Sequence, residues 1–493
     1  MQGEYRGDFT RDTFYQANHF CRVLMQQGRV QLDADWNEQA AILLHYLRGL
    51  GRDLIGQHGG PKSAGFLITT NNTAGDLTIS PGHYYVDGIL CESEGSSGFT
   101  GNLATAPSYL TQPDLPNPPA FSVPGTALAY LDVWERHLAS AQQDSIREVA
   151  LGGPDTASRS KVVWQVKLVL PSPQLPPALQ NLLNKLDGLP AGSNQTFNIP
   201  DTQWQQIVPY FQPANRGFLR ARIQPQAMST DACSISPQSA YRGTENQLYR
   251  VEVHYGSRDV DPNGTALGPT YKWSRENGSV AFPILKLGSS ANSDGSTQIT
   301  VSVASLGRDS HLSLEFNDWV EVVDDASDLN GTPSSLLQVT DIDFTNLVVT
   351  LAIPSGANFD PTKFDLTRHP LLRRWDGQGQ ITESNSTWLT LEDGIQVQFL
   401  PGFTANLVTQ YRSGDYWLIP ARVATGAIEW PIQLDPQGKP VLDTNNNPVP
   451  AALQPHGVEH HYAPLGFVSV RSNANGGVTL VDLRRTFTPL AGG

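Results

Sequence analysis

The period of the apolar residues changes near residue 60, and this change constrains the fold more than any other feature. Between residues 36 and 54 the apolar side chains alternate spacings of four and three, which places them on one helix face. They are Trp36, Ala40, Leu43, Leu47, Leu50 and Leu54. From residue 62 onward the period is two, in short runs separated by turn residues. This pattern predicts a mainly β protein of several antiparallel sandwich-like or barrel-like modules, preceded by an N-terminal arm and one amphipathic helix.

Turn and capping residues place several boundaries. Asp87-Gly88, Asn277-Gly278 and Asp393-Gly394 separate alternating runs, and such pairs favour tight turns with positive φ. We expect Asp35 to cap the long helix, with Glu38 three residues later as in a capping box.

A chain of 493 residues is too long for one ordinary core, so we expect several domains. The pattern suggests an N-terminal docking element, a first β module, a Pro/Gly-rich linker with a short helix, further β modules with a small inserted barrel, and a C-terminal β module. Their respective bounds are 1–61, 62–172, 173–215, 216–375 with the barrel at about 316–353, and 376–493.

Charge argues against nucleic acid as a partner. The net charge is −14, from 47 acidic and 33 basic residues, and no run of five basic residues occurs. Nucleic-acid binding needs clustered Lys and Arg to neutralise phosphates. We therefore expect no nucleic-acid partner.

Cysteine usage and the N-terminus indicate a location. Cys21, Cys91 and Cys233 form no CxxC pair, which argues against a thiolate zinc site and favours a reducing compartment. The start, MQGEYRGDFTRD, is unlike a signal peptide, and no apolar run approaches a membrane span. We expect cytoplasmic assembly without direct membrane insertion, with release by lysis or membrane association only through partners.

Two motifs resemble metal sites. Asp33, Asp35 and Asn37 begin like an EF-hand loop, but its sixth and twelfth positions would hold Glu38 and Leu44 where glycine and an acidic ligand are needed. His456, Glu459 and His460 match the HxxEH zinc pattern, which works on a helix. Pro455 and Gly457 disfavour a helix there, so we expect no metal and no cofactor.

The aromatic residues suggest an alternative function, which is sugar binding. Ten tryptophans occur, mostly within strand patterns, where core packing is the ordinary role. The alternative is a platform that stacks on sugars. Its candidate residues are Tyr84, Tyr85, Trp375, Trp388, Tyr416 and Trp417. Acidic pairs such as Asp341 and Asp343 would suit a glycosidase, although nothing in the sequence places them in a cleft.

The first forty residues favour docking to a partner. Apolar and aromatic side chains occur there without a clean period, so the segment cannot bury all of them by itself. We predict that Phe9, Phe14, Phe20, Met25, Arg29 and Trp36 dock onto another protein subunit. Packing of the same segment on its own β body is the alternative.

Several segments of the chain form a recognisable set. They include GDFTRDTF (7–14), RVLMQQGRVQLDADWNEQ (22–39), LTISPGHYYVDG (77–88), YLDVWER (130–136), LEDGIQVQF (391–399) and GDYWLIPAR (414–422). In these segments the chain resembles the DUF6519 family. Genes of that family occur beside those of phage-tail-like contractile injection systems. The resemblance implies a baseplate, fibre or other accessory part of such a particle, and it supplies no catalytic motif.

We therefore expect a non-enzymatic structural component of a contractile particle, in a homo- or hetero-oligomer with other protein subunits. A glycan-binding adhesin-like module is the first alternative. A glycosidase or metal-dependent hydrolase is the second.

Overall fold

The computed structural model describes residues 3–71, 73–94, 106–190, 192–225, 240–291, 297–404, 407–471 and 477–488. Cys233 lies outside these residues. In this part of the chain, strands far outnumber helices, which confirms the mainly β prediction. The α-helices are α1 (Asp33–Ile55), α2 (Pro177–Asp187), α3 (Asp201–Phe211) and α4 (Asp325–Asn330).

The first strands lie before residue 200. They are β1 (His58–Pro61), β2 (Ile68–Thr70), β3 (Leu77–Ile79), β4 (Gly82–Val86), β5 (Ile89–Ser93), β6 (Gly125–Leu138), β7 (Arg159–Val169) and β8 (Gly192–Thr196). The middle strands are β9 (Phe218–Ile223), β10 (Gln247–Val253), β11 (Thr270–Ser274), β12 (Ala281–Ala291), β13 (Thr297–Val303), β14 (Trp319–Val323), β15 (Leu336–Asp343), β16 (Val348–Ala352) and β17 (Leu371–Trp375). The last strands are β18 (Gly377–Gln380), β19 (Leu389–Thr390), β20 (Ile395–Leu400), β21 (Tyr416–Arg422), β22 (Ala427–Ile428), β23 (His461–Val470), β24 (Val478–Asp482) and β25 (Thr486–Phe487).

The predicted turns form where the Asx-Gly pairs stand. Asp87 and Gly88 have φ of 48° and 79° and join β4 to β5 in an antiparallel hairpin. Positive φ at both central residues matches the right-handed twist of the paired strands. Asn277-Gly278 and Asp393-Gly394 also have positive φ.

The inserted barrel is larger than the sequence suggested. It closes in the order β12-β13-β16-β15-β14-β17, so it spans Ala281 to Trp375 and not only residues 316–353. Its core consists of alternating apolar residues, including Val301, Val320 and Leu351. The prediction missed three strands because β12, β13 and β17 lie outside the closely spaced triplet that revealed the barrel.

Distant segments share the remaining sheets. One sheet has the order β7-β6-β23-β24-β8, in which β23 pairs antiparallel with β6. Helices α2 and α3 cover one face of it through residues such as Leu182 and Trp204. Another sheet, β18-β11-β10-β21-β22, shares a core with the sheet β19-β20-β9. The strands of residues 376–493 therefore belong to different sheets: β18, β21 and β22 pair in the sheet of β10 and β11, whereas β23 and β24 pair in the sheet of β6 and β7.

Helix α1 begins three residues earlier than predicted. Asp33 is its first residue, and the Asp33 carboxylate accepts a hydrogen bond from the backbone N–H of Thr10 at 2.9 Å. Asp35, predicted as the cap, lies inside the first turn, where its carboxylate is 3.4 Å from the backbone nitrogen of Leu32. Of the helices described, none is both long and apolar enough to cross a bilayer.

Candidate docking surface

The apolar face of α1 lies in solvent. We call its six residues, Trp36, Ala40, Leu43, Leu47, Leu50 and Leu54, the seam, and all six are exposed. Trp36 and Leu47 are each 64% exposed and Leu54 is 75% exposed. Within α1 only Ala34 and Ile42 are buried. An amphipathic helix normally buries its apolar stripe, so this arrangement is inverted for an isolated chain.

The opposite side of α1 holds the helix on the β body. Arg48 forms an ion pair with Glu135 of β6 at 2.6 Å. The β4–β5 turn also fits closely, since a Cβ atom added to Gly88 would lie 2.2 Å from the carbonyl oxygen of Arg48. Glycine is therefore required at this position both for its φ and for the close approach. The seam consequently points away from the body.

Exposure of the seam carries a free-energy cost. Full burial of one large apolar side chain stabilises by about 1.5–3 kcal/mol relative to exposure. Five large seam side chains, each more than half exposed, forgo on the order of 5–9 kcal/mol together. A surface of this kind marks an interaction site.

Residues 3–14, which we call the anchor segment, are fixed on the chain's own body. The Tyr416 hydroxyl donates a hydrogen bond to the Gly3 carbonyl at 2.8 Å. The Asn277 side chain donates to the Gly7 carbonyl at 2.9 Å, and the Arg250 guanidinium donates to the Tyr5 carbonyl at 3.2 Å. These contacts fix the backbone of the anchor segment where β10, β21 and the β11–β12 connection meet.

Buried charges surround the anchor segment. Arg6 forms ion pairs with Glu4 at 2.8 Å and with Glu252 of β10 at 2.9 Å. Lys272 of β11 reaches Glu321 of the barrel at 2.5 Å. The anchor segment, the β10–β11 sheet and the barrel are therefore joined by charged groups. We call this group of side chains the ionic junction.

The pKa values of the junction show how its charges are held. Burial by itself would raise the pKa of Glu252, but the charges of Arg6, Arg250 and Lys272 hold that pKa well below its usual value. Burial, helped by nearby arginines, lowers the pKa of His137 to about 3. Burial and the Lys272 charge likewise lower the pKa of His254 to about 3. Both histidines are therefore neutral at pH 7.

Residues 15–32, which we call the arm, have a different character. Their exposed apolar side chains are Tyr15, Phe20, Leu24, Met25, Val30 and Leu32. No residue of the arm, which the structure describes throughout, belongs to a strand. The Val23 backbone N–H donates a hydrogen bond to the Gln39 side chain at 2.8 Å, which ties the middle of the arm to α1. The arm and the seam together form what we call the docking surface.

The six predicted docking residues fall into two groups. Phe9 lies edge-on to His137 with ring centroids 6.3 Å apart, and Phe14 lies 5.8 Å from the His45 ring. These two pack on the chain itself. The others are exposed, and they are Phe20, Met25, Arg29 and Trp36.

The HxxEH residues are divided among separate contacts. The His460 Nδ1 lies 2.6 Å from the Asp132 carboxylate, and the centroid of its ring lies 4.7 Å from that of Trp134. The His456 ring lies 5.5 Å from that of Tyr416, while Glu459 lines a cleft beneath α1. In the described ranges, no three His, Cys, Asp or Glu residues are grouped so that they could hold a metal ion.

Most of the candidate sugar-stacking rings lie inside the protein. Tyr84, Trp375, Tyr416 and Trp417 are buried, so their faces are closed to a ligand in this conformation. The remaining two, Tyr85 and Trp388, are half-buried. The guanidinium of Arg222 lies 3.9 Å from the Trp388 ring, which covers one face of that indole.

A cleft of about 1300 Å³ lies between α1, the anchor segment and the barrel. Ala41, His45, His137, Phe282 and His461 are among the residues that line it. Its volume exceeds the usual 300–1,000 Å³ of small-molecule sites. Sequence reasoning missed the cleft because its walls come from segments far apart in the chain.

The ionic junction also escaped the sequence reading. The signal was present as charged residues at every second position of apolar strands, such as Arg250 and Glu252 in β10 and Lys272 in β11. Alternation of this kind usually indicates a solvated face. Here the charged face of β10 and β11 lies against the anchor segment and the barrel. Glu252 pairs with Arg6 of the anchor segment, and Lys272 pairs with Glu321 of the barrel.

Comparison with known proteins gave one family. The family model described as "Family of unknown function (DUF6519)" matches residues 5–188 and 178–476. Neither the curated proteins nor the solved structures contain a match. With nearly the whole length matched, the chain belongs to the DUF6519 family, whose function is unknown.

Proposed function

We propose that this protein is a non-enzymatic structural component of a phage-tail-like contractile injection particle, which attaches to other subunits through its docking surface. The single observation that carries the attachment role is the exposed apolar seam of α1 beside an arm with six exposed apolar side chains. The particle setting rests on the resemblance of residues 7–14 and 22–39 to a family whose genes accompany such systems.

The anchor segment supports this role physically. A docking element transmits position only if it is rigidly joined to the body that it carries. The ion pairs of Arg6 and Arg48 provide that joint on the two sides of the arm. A partner bound to the docking surface would therefore fix the orientation of the β body.

The test is recovery of the chain with intact particles. Particles are purified from cells that produce both, and the chain is quantified by mass spectrometry. We expect wild-type chain in the particles and recovery reduced at least about tenfold for Phe20→Asp combined with Met25→Asp, because both changes place charge at an apolar contact.

Val149→Asp is the matched control, since Val149 is 84% exposed and lies outside the docking surface. It should be recovered like the wild type. Absence of the wild-type chain from intact particles would contradict the proposed function. Equal recovery of the arm variant and the control would contradict the docking surface.

A further inference from the structure

The seam of α1 has the period of a coiled coil. Ala40, Leu47 and Leu54 recur every seven residues. Trp36, Leu43 and Leu50 also recur every seven residues, each four residues before the next member of the first series. These two series correspond to the a and d positions of a left-handed coiled coil. A contact with a non-helical surface would tolerate departures from the seven-residue period, whereas a contact with a second helix requires that the period be kept.

The residues beside the seam are almost free of charge. The flanking e and g positions hold Asn37, Gln39, Leu44, Tyr46, Gly51 and Asp53, of which Asp53 alone is charged. Charges at these positions select a particular partner helix and repel a wrong one. Because charged residues are nearly absent from the e and g positions, two copies of the same helix meet without like-charge repulsion. The same absence means that no charge pattern specifies a different partner helix.

The helix is already ordered before it meets a partner. Its N-terminal end is tied to the anchor segment through Asp33 and Thr10, and its centre through Arg48 and Glu135. At 23 residues it is about 34 Å long, enough for three heptads. Because the seam belongs to a helix that is already formed and its side chains are exposed, pairing requires no folding of the helix and so loses little entropy.

From these observations we infer that the seam of α1 pairs with the seam of a second copy of this chain, so that the protein self-associates through a short coiled coil. This inference rests on the proposed function, since it names one partner of the docking surface. The chain supplies both halves of the contact by itself.

The test measures the mass of the purified full chain in solution. Sedimentation velocity under reducing conditions, which exclude a disulfide through the exposed Cys21, is run over a range of micromolar concentrations. We expect reversible self-association of the wild type. Leu47→Glu should raise the dissociation constant at least about tenfold, because it places a charge in the centre of the apolar contact.

Val149→Glu is the control and should associate like the wild type. Circular dichroism should show the same helix content in all three proteins, because Leu47 is exposed in the single chain. A wild type that remains monomeric, or a Leu47→Glu variant that associates unchanged, would overturn the inference.

The two proposals fail separately. The first outcome is a wild-type chain that is monomeric but still recovered with particles, while the Leu47→Glu variant is not recovered with them. This outcome would refute self-pairing and leave the proposed function standing. Intact self-association in a chain that never enters particles would refute the proposed function alone.

Discussion

Arg6 of the ionic junction precedes the arm of the docking surface by only nine residues in the chain, yet the two regions invert the usual distribution of side chains. In the junction, Arg6, Glu252 and Lys272 are buried and paired. On the docking surface, Trp36 and Leu47 are exposed. Folded chains usually place charge outside and apolar groups inside.

The difference shows what each region is suited for. A buried ion pair adds little net stability, but it fixes partners in one geometry, because leaving either charge unpaired is costly. An exposed apolar surface has no such geometric demand and gains free energy from any matching surface. The junction thus positions the N-terminal segment, and the docking surface remains available to bind.

Among the substitutions, Arg6→Ala has the largest expected effect, because it breaks the junction. Arg6→Ala removes the cation paired with Glu4 and leaves Glu252 with only Arg250 and Lys272, and we expect the free energy of unfolding to fall by about 3 kcal/mol. Urea denaturation monitored by tryptophan fluorescence measures this loss. A change below about 1 kcal/mol would mean that the junction is not a buried ion-pair network.

Acid should weaken the junction next. His137 and His254 have a pKa of about 3 in the folded chain against 6.5 when unfolded, so unfolding takes up protons below pH 6.5. The contribution of these two histidines to the free energy of unfolding is fully present above pH 6.5. It decreases as the pH falls toward 3, by up to about 1.4 kcal/mol per pH unit for each histidine. Urea titrations at several pH values test this. The slope should flatten in His254→Phe, and an unchanged slope would contradict the assignment.

An ion pair on the surface of the same segment provides the contrast. Arg11 lies 3.3 Å from Glu429, and both side chains are more than one-third exposed. We expect Arg11→Ala to reduce the free energy of unfolding by only about 0.2–1 kcal/mol, because solvent screens exposed charges. Denaturation beside Arg6→Ala gives the comparison. Equal losses from the two variants would remove the distinction between buried and exposed contacts.

The smallest expected effect concerns the docking surface. In the dissociated chain Leu47→Glu should change the free energy of unfolding by no more than about 0.5 kcal/mol, since Leu47 packs little of its side chain. The measurement is made at concentrations too low for association. A large loss there would show that the seam supports the chain's own fold.

Much of the architecture followed from local sequence. The Asp87-Gly88 hairpin, the strand at residues 127–136, the short helix at residues 177–187 and the seam all depend on short-range patterns, which a sequence displays directly. The barrel was recognised only in part, since its first and last strands, β12 and β17, pair with each other across 80 positions of the chain, from 291 to 371. The pairing of β23 with β6 joins strands more than 300 residues apart and left no local signal.

The sequence by itself determined that α1 is amphipathic, that the rest is pleated, and that the N-terminus carries more apolar residues than a short segment can bury. Only the tertiary structure decided which apolar residues remain exposed: Phe9 and Phe14 turn inward, whereas Phe20 and Trp36 turn outward. It also decided that the charges of β10 and β11 face another charged surface and not water. The physical reason is that burial depends on which faces meet in space, and the period of a strand or helix defines its faces without saying what they meet.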